Sequence, residues 1–93
     1  MNRALLPTAA FTRAVRRLAK WRPDAAEAVR AILVALAADA FAPALRTHKL
    51  LGDLLGSWAC SAGYDLRIVF AFVEHDGAEA VLLQSVGTHD EVY

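Results

Sequence analysis

Apolar positions recur at two different periods along the chain, and the change of period falls near its middle. Phe11, Val15 and Leu18 return at helical spacing after Thr8, with Arg13, Arg16, Arg17 and Lys20 on the remaining surface. This predicts an amphipathic helix with a basic outer side. A second helix is expected from Arg22-Pro23-Asp24, where proline suits the first turn and the Asp24 to Glu27 spacing fits a capping box. Val29, Ile32, Leu33, Leu36, Ala37, Ala40 and Phe41 give it a broad apolar stripe, and Pro43 ends it. The two helices should pack antiparallel through a short turn at residues 21–23.

After Phe41 the pattern becomes strand-like, punctuated by Gly52, Gly56 and Gly63. Arg67 to Val73 and Ala80 to Val86 flank Glu-His-Asp-Gly, a hairpin signal, so these runs are expected to pair antiparallel with His75 exposed in the turn. Ser57 to Ser61 reads as the preceding strand, joined through Ala62-Gly63-Tyr64, and a short strand near Arg3 to Leu6 would make a fourth. The expected fold class is α+β, a small antiparallel curved sheet of three to four strands with two N-terminal helices packed on one face. Residues 1–93 form one domain in this reading.

Composition narrows the class further. Of 53 hydrophobic residues 20 are alanine, which leaves 33 larger apolar side chains, enough for one core without disulfide staples. The lone cysteine, Cys60, excludes an internal disulfide or a cysteine-based zinc site and reads as a small buried hydrophobe. No apolar run approaches the roughly 18 residues of a membrane span, and no signal-peptide pattern opens the sequence. The expectation is a soluble, cytoplasmic protein with no membrane partner.

The formal net charge is zero, but the charges are sorted. Residues 1–22 carry six bases and no acid, whereas residues 23–93 carry four bases and ten acids, a balance of +6 against −6. Because salt screens each charge beyond about 8 Å, a neutral sum leaves a local basic face able to bind phosphates. It argues only against strong unassisted sliding on nucleic acid.

Few side chains offer chemistry. His48 lies in an expected loop, and His89 and Tyr93 lie in a tail that would ordinarily fray. Asp65 and Arg67, two apart at the start of a strand, should share a face, either as working groups or as a surface ion pair of little energetic worth. Arg67 fits the bland reading less well, since it interrupts an apolar strand. Three histidines without a carboxylate cluster or regular ligand spacing make no metal site.

Taken together, Thr47-His48-Lys49-Leu50, Gly52-Asp53-Leu54-Leu55-Gly56-Ser57-Trp58, Tyr64-Asp65-Leu66-Arg67-Ile68-Val69-Phe70 and Gly87-Thr88-His89-Asp90-Glu91-Val92-Tyr93 closely resemble the YafQ branch of the RelE-like toxins of bacterial type II toxin–antitoxin systems. The resemblance covers nearly the whole chain and is specific in its C-terminal half. It implies an mRNA interferase, an endoribonuclease that cuts messenger RNA in the ribosomal A site by attack of the RNA's own 2′-hydroxyl, without a metal or other cofactor. On that resemblance His48 and His89 share general acid–base work, a task suited to imidazole. Asp65 matches the family's strand carboxylate, and Arg67 matches an arginine used on the scissile phosphate. Tyr93 stands where the family has a tail aromatic, while Arg13, Arg16, Arg17, Lys20 and Lys49 would hold RNA and ribosome.

The resemblance further implies a cognate acidic antitoxin, in a heterotetramer of two toxins and two antitoxins. Arg13, Arg16, Arg17, Lys49 and Arg67 are expected to ring the cleft that it covers. The chain departs from the family in two respects: the segment from Ala59 to Tyr64 lacks a further histidine, leaving Tyr64 as a spare base, and the net charge is neutral. Two other readings stay open, a ParE-like toxin that poisons gyrase and an inactive relative that only binds antitoxin.

Overall fold

In the computed structural model, which describes residues 2–63 and 65–93, the first turn of helix is set by Thr8. Its hydroxyl accepts from the Phe11 N–H at 3.1 Å, satisfying one of the amides a helix start leaves unpaired. Helix α1 (Ala9–Trp21) follows, and after Arg22 alone the chain re-enters helix as α2 (Pro23–Ala38). Proline fills the first position of α2, but no side chain caps it. The expected Asp24 capping box is not formed, and Glu27 instead pairs with Arg30 at 2.9 Å. The helix also stops three residues earlier than expected. The Asp39 carboxylate accepts from the Phe41 N–H at 3.1 Å, an alternative to the helical ladder. Phe41 is thereby released to pack on Trp58 and Phe72, with ring centroids 5.3 and 5.7 Å away.

Five strands among the described residues form one sheet: β1 (Leu5–Pro7), β2 (His48–Lys49), β3 (Trp58–Ser61), β4 (Leu66–His75) and β5 (Ala78–Thr88), in the order β1-β5-β4-β3-β2. Two expectations are corrected here. The sheet has five strands rather than three or four, because His48 and Lys49 pair with Ala59 and Trp58 instead of forming a loop. It is also mixed, since β1 runs parallel to β5. The hairpin is tighter than expected as well. His75 is the last residue of β4, and Asp76 and Gly77 alone make the turn, both with positive φ, as a two-residue loop requires. Tyr64, expected in the turn before β4, lies outside the described residues.

Both helices cover one face of the sheet. Phe11, Val29 and Leu36 meet Leu66, Ile68, Phe70, Val81, Leu83 and Val86 there in a single core. The inward positions of β5 change from odd to even between Leu83 and Val86. The register explains this: Val69 pairs with Ser85 but Phe70 with Leu83, so Gln84 is an extra residue in a bulge. Beyond the bulge, Ser85 and Gly87 look away from the helices.

Cys60 belongs to this core, with no exposed surface. Burial pushes its thiol up to about 12, with the charge of Arg67 pulling slightly the other way. The folded chain thus holds this proton more tightly than the unfolded chain, whose thiol titrates near ~8.5. Its contribution to stability is complete below that value and is lost as the pH rises towards 12. Two results are expected. A thiol reagent at pH 8 should label Cys60 only as fast as the protein opens, and Cys60→Ala should flatten the alkaline decline in stability. Labelling within seconds under native conditions would contradict this burial.

Candidate functional site

The face of the sheet turned away from the helices is built by strand alternation. Register places Ser61, Arg67 and Gly87 side by side across β3, β4 and β5, and His48, Ala59, Val69 and Ser85 in the row beside them. Within a strand alternate residues share a face, so His48 and Arg67 stand on the same face of the sheet. Two strand spacings and two residues separate them, about 12 Å between Cα atoms. Leu50, Ala59 and Val69 form a small apolar floor, and Leu54 and Val92 close over it.

Val92 belongs to the tail, which does not fray. Residues His89–Val92 form a short helix, α3, that folds back against β4 and β5. His89 and Tyr93, one turn apart, bring their rings to 4.5 Å in an edge-to-face contact. Burial raises the pKa of the Tyr93 hydroxyl, the charge of Arg67 partly offsets that, and Cys60 adds to it. Tyr93 is therefore a neutral hydroxyl at physiological pH, set within the field of Arg67.

The remaining groups are anchored locally. His48 is exposed, and its Nδ1 lies 2.9 Å from the Arg46 carbonyl. Only a protonated Nδ1 can donate there, so the neutral ring presents Nε2 with its lone pair outwards. Arg46 holds that carbonyl from the left-handed region, at φ 53°. Arg67 is half-buried and donates to the Leu66 carbonyl at 2.9 Å. Among the described residues no group of histidine, cysteine and carboxylate side chains could hold a metal ion.

Three expectations change. Asp65 does not share a face with Arg67, because it precedes β4 and alternation does not reach it. Its carboxylate turns to Arg22, 3.4 Å away. The bases of α1 do not ring the cleft either: Arg13, Arg16 and Lys20 project from the helix layer, across the sheet from Arg67. Arg17 reaches the end of the sheet, where it lines a groove of about 320 Å³ with Leu18, Trp21, Val86, Gly87 and Glu91. Lys49 also faces the helix side, its Nζ 5.5 Å from the Trp58 ring. Sequence reasoning overlooked Thr88 and Glu91, although Thr-x-x-Glu is the signature of a capping box. Both halves of that box are present.

No protein-family model matches the chain, and no curated protein matches it in sequence. Solved structures match over nearly its full length. YafQ from E. coli is 15% identical, covering 98% of this chain and 98% of its own, with a TM-score of 0.77. The YoeB/ParE toxin from Agrobacterium tumefaciens is also 15% identical, covering 92% of this chain and 98% of its own, at 0.77. A chain of the E. coli DinJ-YafQ toxin-antitoxin complex is 16% identical, with coverage of 100% and 99% and a TM-score of 0.74. This chain thus has the fold of the YafQ and YoeB/ParE toxins. No helix among the described residues is long and apolar enough to cross a membrane.

Proposed function

We propose that this protein is the toxin of a type II toxin–antitoxin pair, a metal-independent endoribonuclease that cuts mRNA in the ribosomal A site. What supports this reading is the placing of His48 and Arg67 on the sheet face opposite α1 and α2, with α3 and its His89–Tyr93 pair packed against β4 and β5, in a chain with the YafQ fold. Cleavage of RNA by its own 2′-hydroxyl needs a base, a cation for the phosphorane and an acid. His48 supplies the base: its Nε2 takes the 2′-hydroxyl proton as the oxygen attacks phosphorus. Arg67 donates to the non-bridging oxygens, where charge accumulates. His89 protonates the 5′-oxygen as the P–O5′ bond breaks, leaving a 2′,3′-cyclic phosphate and a 5′-hydroxyl. Tyr93, neutral and beside Arg67, stacks on a base or donates to the phosphate. Asp65 acts at a distance, tying the start of β4 to the helix layer through Arg22 and so aiming Arg67.

The ribosome is the second substrate of this reading. With net charge zero, the free protein gains little from phosphate contacts, so the A site must hold and bend the message. The exposed bases of α1, with Lys49, face ribosomal RNA on the side opposite the cleft. An acidic antitoxin, one of whose segments folds on binding, restrains the protein in a heterotetramer in the cytoplasm.

Mapping transcript 5′ ends after induction, with and without translation, tests the reading. New 5′-hydroxyl ends inside open reading frames, lost when translation is blocked, are the expected result. Efficient cutting of naked mRNA at physiological salt would overturn the ribosome requirement. Growth arrest with intact transcripts and inhibited gyrase would replace this reading with a gyrase poison. Recovery of the protein alone and monomeric after co-expression with the adjacent open reading frame would remove the antitoxin.

A further inference from the structure

The tail carries two of the proposed working groups on a four-residue helix and its C-cap, Tyr93, a length with no intrinsic stability. Something else must hold it. Besides the Tyr93 N–H bond to the His89 carbonyl, three contacts outside that pair do so. The Thr88 hydroxyl accepts from the Glu91 N–H at 3.4 Å, and the Glu91 carboxylate accepts from the Thr88 N–H at 2.8 Å. Gly87, directly across from Arg67 in the register, leaves room for the helix to fold back. A Cβ at this position would meet the Glu91 Cβ and Oε1 at 3.0 Å and Val92 at 3.3 Å. Glu91 thus lies over the gap beside Arg67, and Val92 docks on the apolar floor.

We propose that Thr88 and Glu91 are positioning residues, a reciprocal clamp that, with the gap at Gly87, fixes His89 and Tyr93 against Arg67 for the chemical step. Glu91 transfers no proton in this role. A carboxamide oxygen accepts the same hydrogen bond, so charge is dispensable and geometry is not. The inference rests on the nuclease reading above.

Single-turnover cleavage on programmed ribosomes tests it, with melting temperature and tail amide exchange measured in parallel. Thr88→Val and Glu91→Ala should each lower the maximal rate by roughly tenfold to a hundredfold, since a displacement of about 1 Å costs that much. The concentration giving half-maximal rate should stay unchanged, and the amides of residues 89–93 should lose protection. Thr88→Ser and Glu91→Gln should restore most of the rate. If Thr88→Val unfolds, the exposed Glu91 pair decides alone. Wild-type rates in Glu91→Ala alongside an inactive His89→Ala would overturn the clamp and leave the nuclease reading standing. Equal loss in Glu91→Ala and Glu91→Gln would also overturn it, by assigning Glu91 a charged role. A wild-type protein that never cleaves would overturn the nuclease reading first, and this role with it.

Discussion

Replacing Arg67 by alanine should lower single-turnover cleavage of ribosome-bound mRNA by roughly 10²- to 10³-fold, the usual cost of losing one donor to a developing oxyanion. Arg67→Lys should recover only a small part, because an ammonium offers a point charge where the guanidinium offers a planar fork. The position explains the size of the effect. Arg67 is the one charged residue between Leu66 and Val73 of β4, flanked by Ser61 and Gly87, neither of which carries charge. Its hydrogen bond to the Leu66 carbonyl orients the stem and leaves most guanidinium donors for phosphate oxygens. Folding should tolerate the change, since the charge faces the cleft rather than the core. Cleavage at the wild-type rate by Arg67→Ala would remove this residue from the reaction.

The same substitution separates two electrostatic surfaces. Charge reversal at Arg13 and Arg16 should weaken ribosome docking while leaving the rate of the bound complex unchanged, because those side chains project from the helix layer, away from the groove that Arg17 lines with Gly87 and Glu91. Arg67→Ala should do the reverse. The expectation of one basic ring rests on the resemblance and its acidic antitoxin, and sequence spacing holds no information about which side of a sheet a helix covers.

Elements with a strong local cause were legible in the sequence, and those decided by tertiary competition were not. Thr8 followed by Phe11, Val15 and Leu18 marks α1 because cap and periodicity agree. The β4–β5 pairing followed from two apolar runs around Asp76-Gly77, where positive φ suits the residues present. The end of α2 is hidden in the sequence because Ala40 and Phe41 continue the apolar stripe. Asp39 breaks the ladder and Phe41 finds a better partner in Trp58 and Phe72. Strand β2 leaves no mark in the sequence, since two residues carry no periodicity, and only the partner strand reveals the pairing. At the site, the faces of His48 and Arg67 were hidden by the same limit, as was the bulge at Gln84 that turns Gly87 towards the cleft. The clamp of Thr88 and Glu91 is present as a sequence pattern, but a cap four residues from the final helical position suggests no helix worth capping.

The largest test of the chemistry concerns the two histidines, whose roles the sequence left interchangeable. The structure gives the two rings different neighbours, which is why the proposed roles differ. With Nδ1 committed to the Arg46 carbonyl, the neutral His48 ring presents Nε2 as an acceptor, the form that takes a proton from the 2′-hydroxyl. The His89 Nδ1 instead stands 3.6 Å from the Asp90 carboxylate, while its ring lies edge-to-face with Tyr93. Either histidine changed to alanine should slow cleavage by roughly 10²- to 10⁴-fold, as expected for a lost proton-transfer group. A message carrying sulfur in place of the 5′-bridging oxygen at the scissile phosphate distinguishes them. A thiolate leaves without protonation, so loss of the acid should cost little on this substrate, whereas loss of the base should cost as much as before. His89→Ala should therefore approach wild-type rates on the sulfur-bridged message, and His48→Ala should stay slow. The opposite pattern would exchange the two roles, and equal rescue of both would mean that neither group acts alone. A slow His48→Ala also weighs against a role confined to holding the β2 edge, provided that His48→Asn, which keeps a donor for the Arg46 carbonyl but supplies no base, is equally slow.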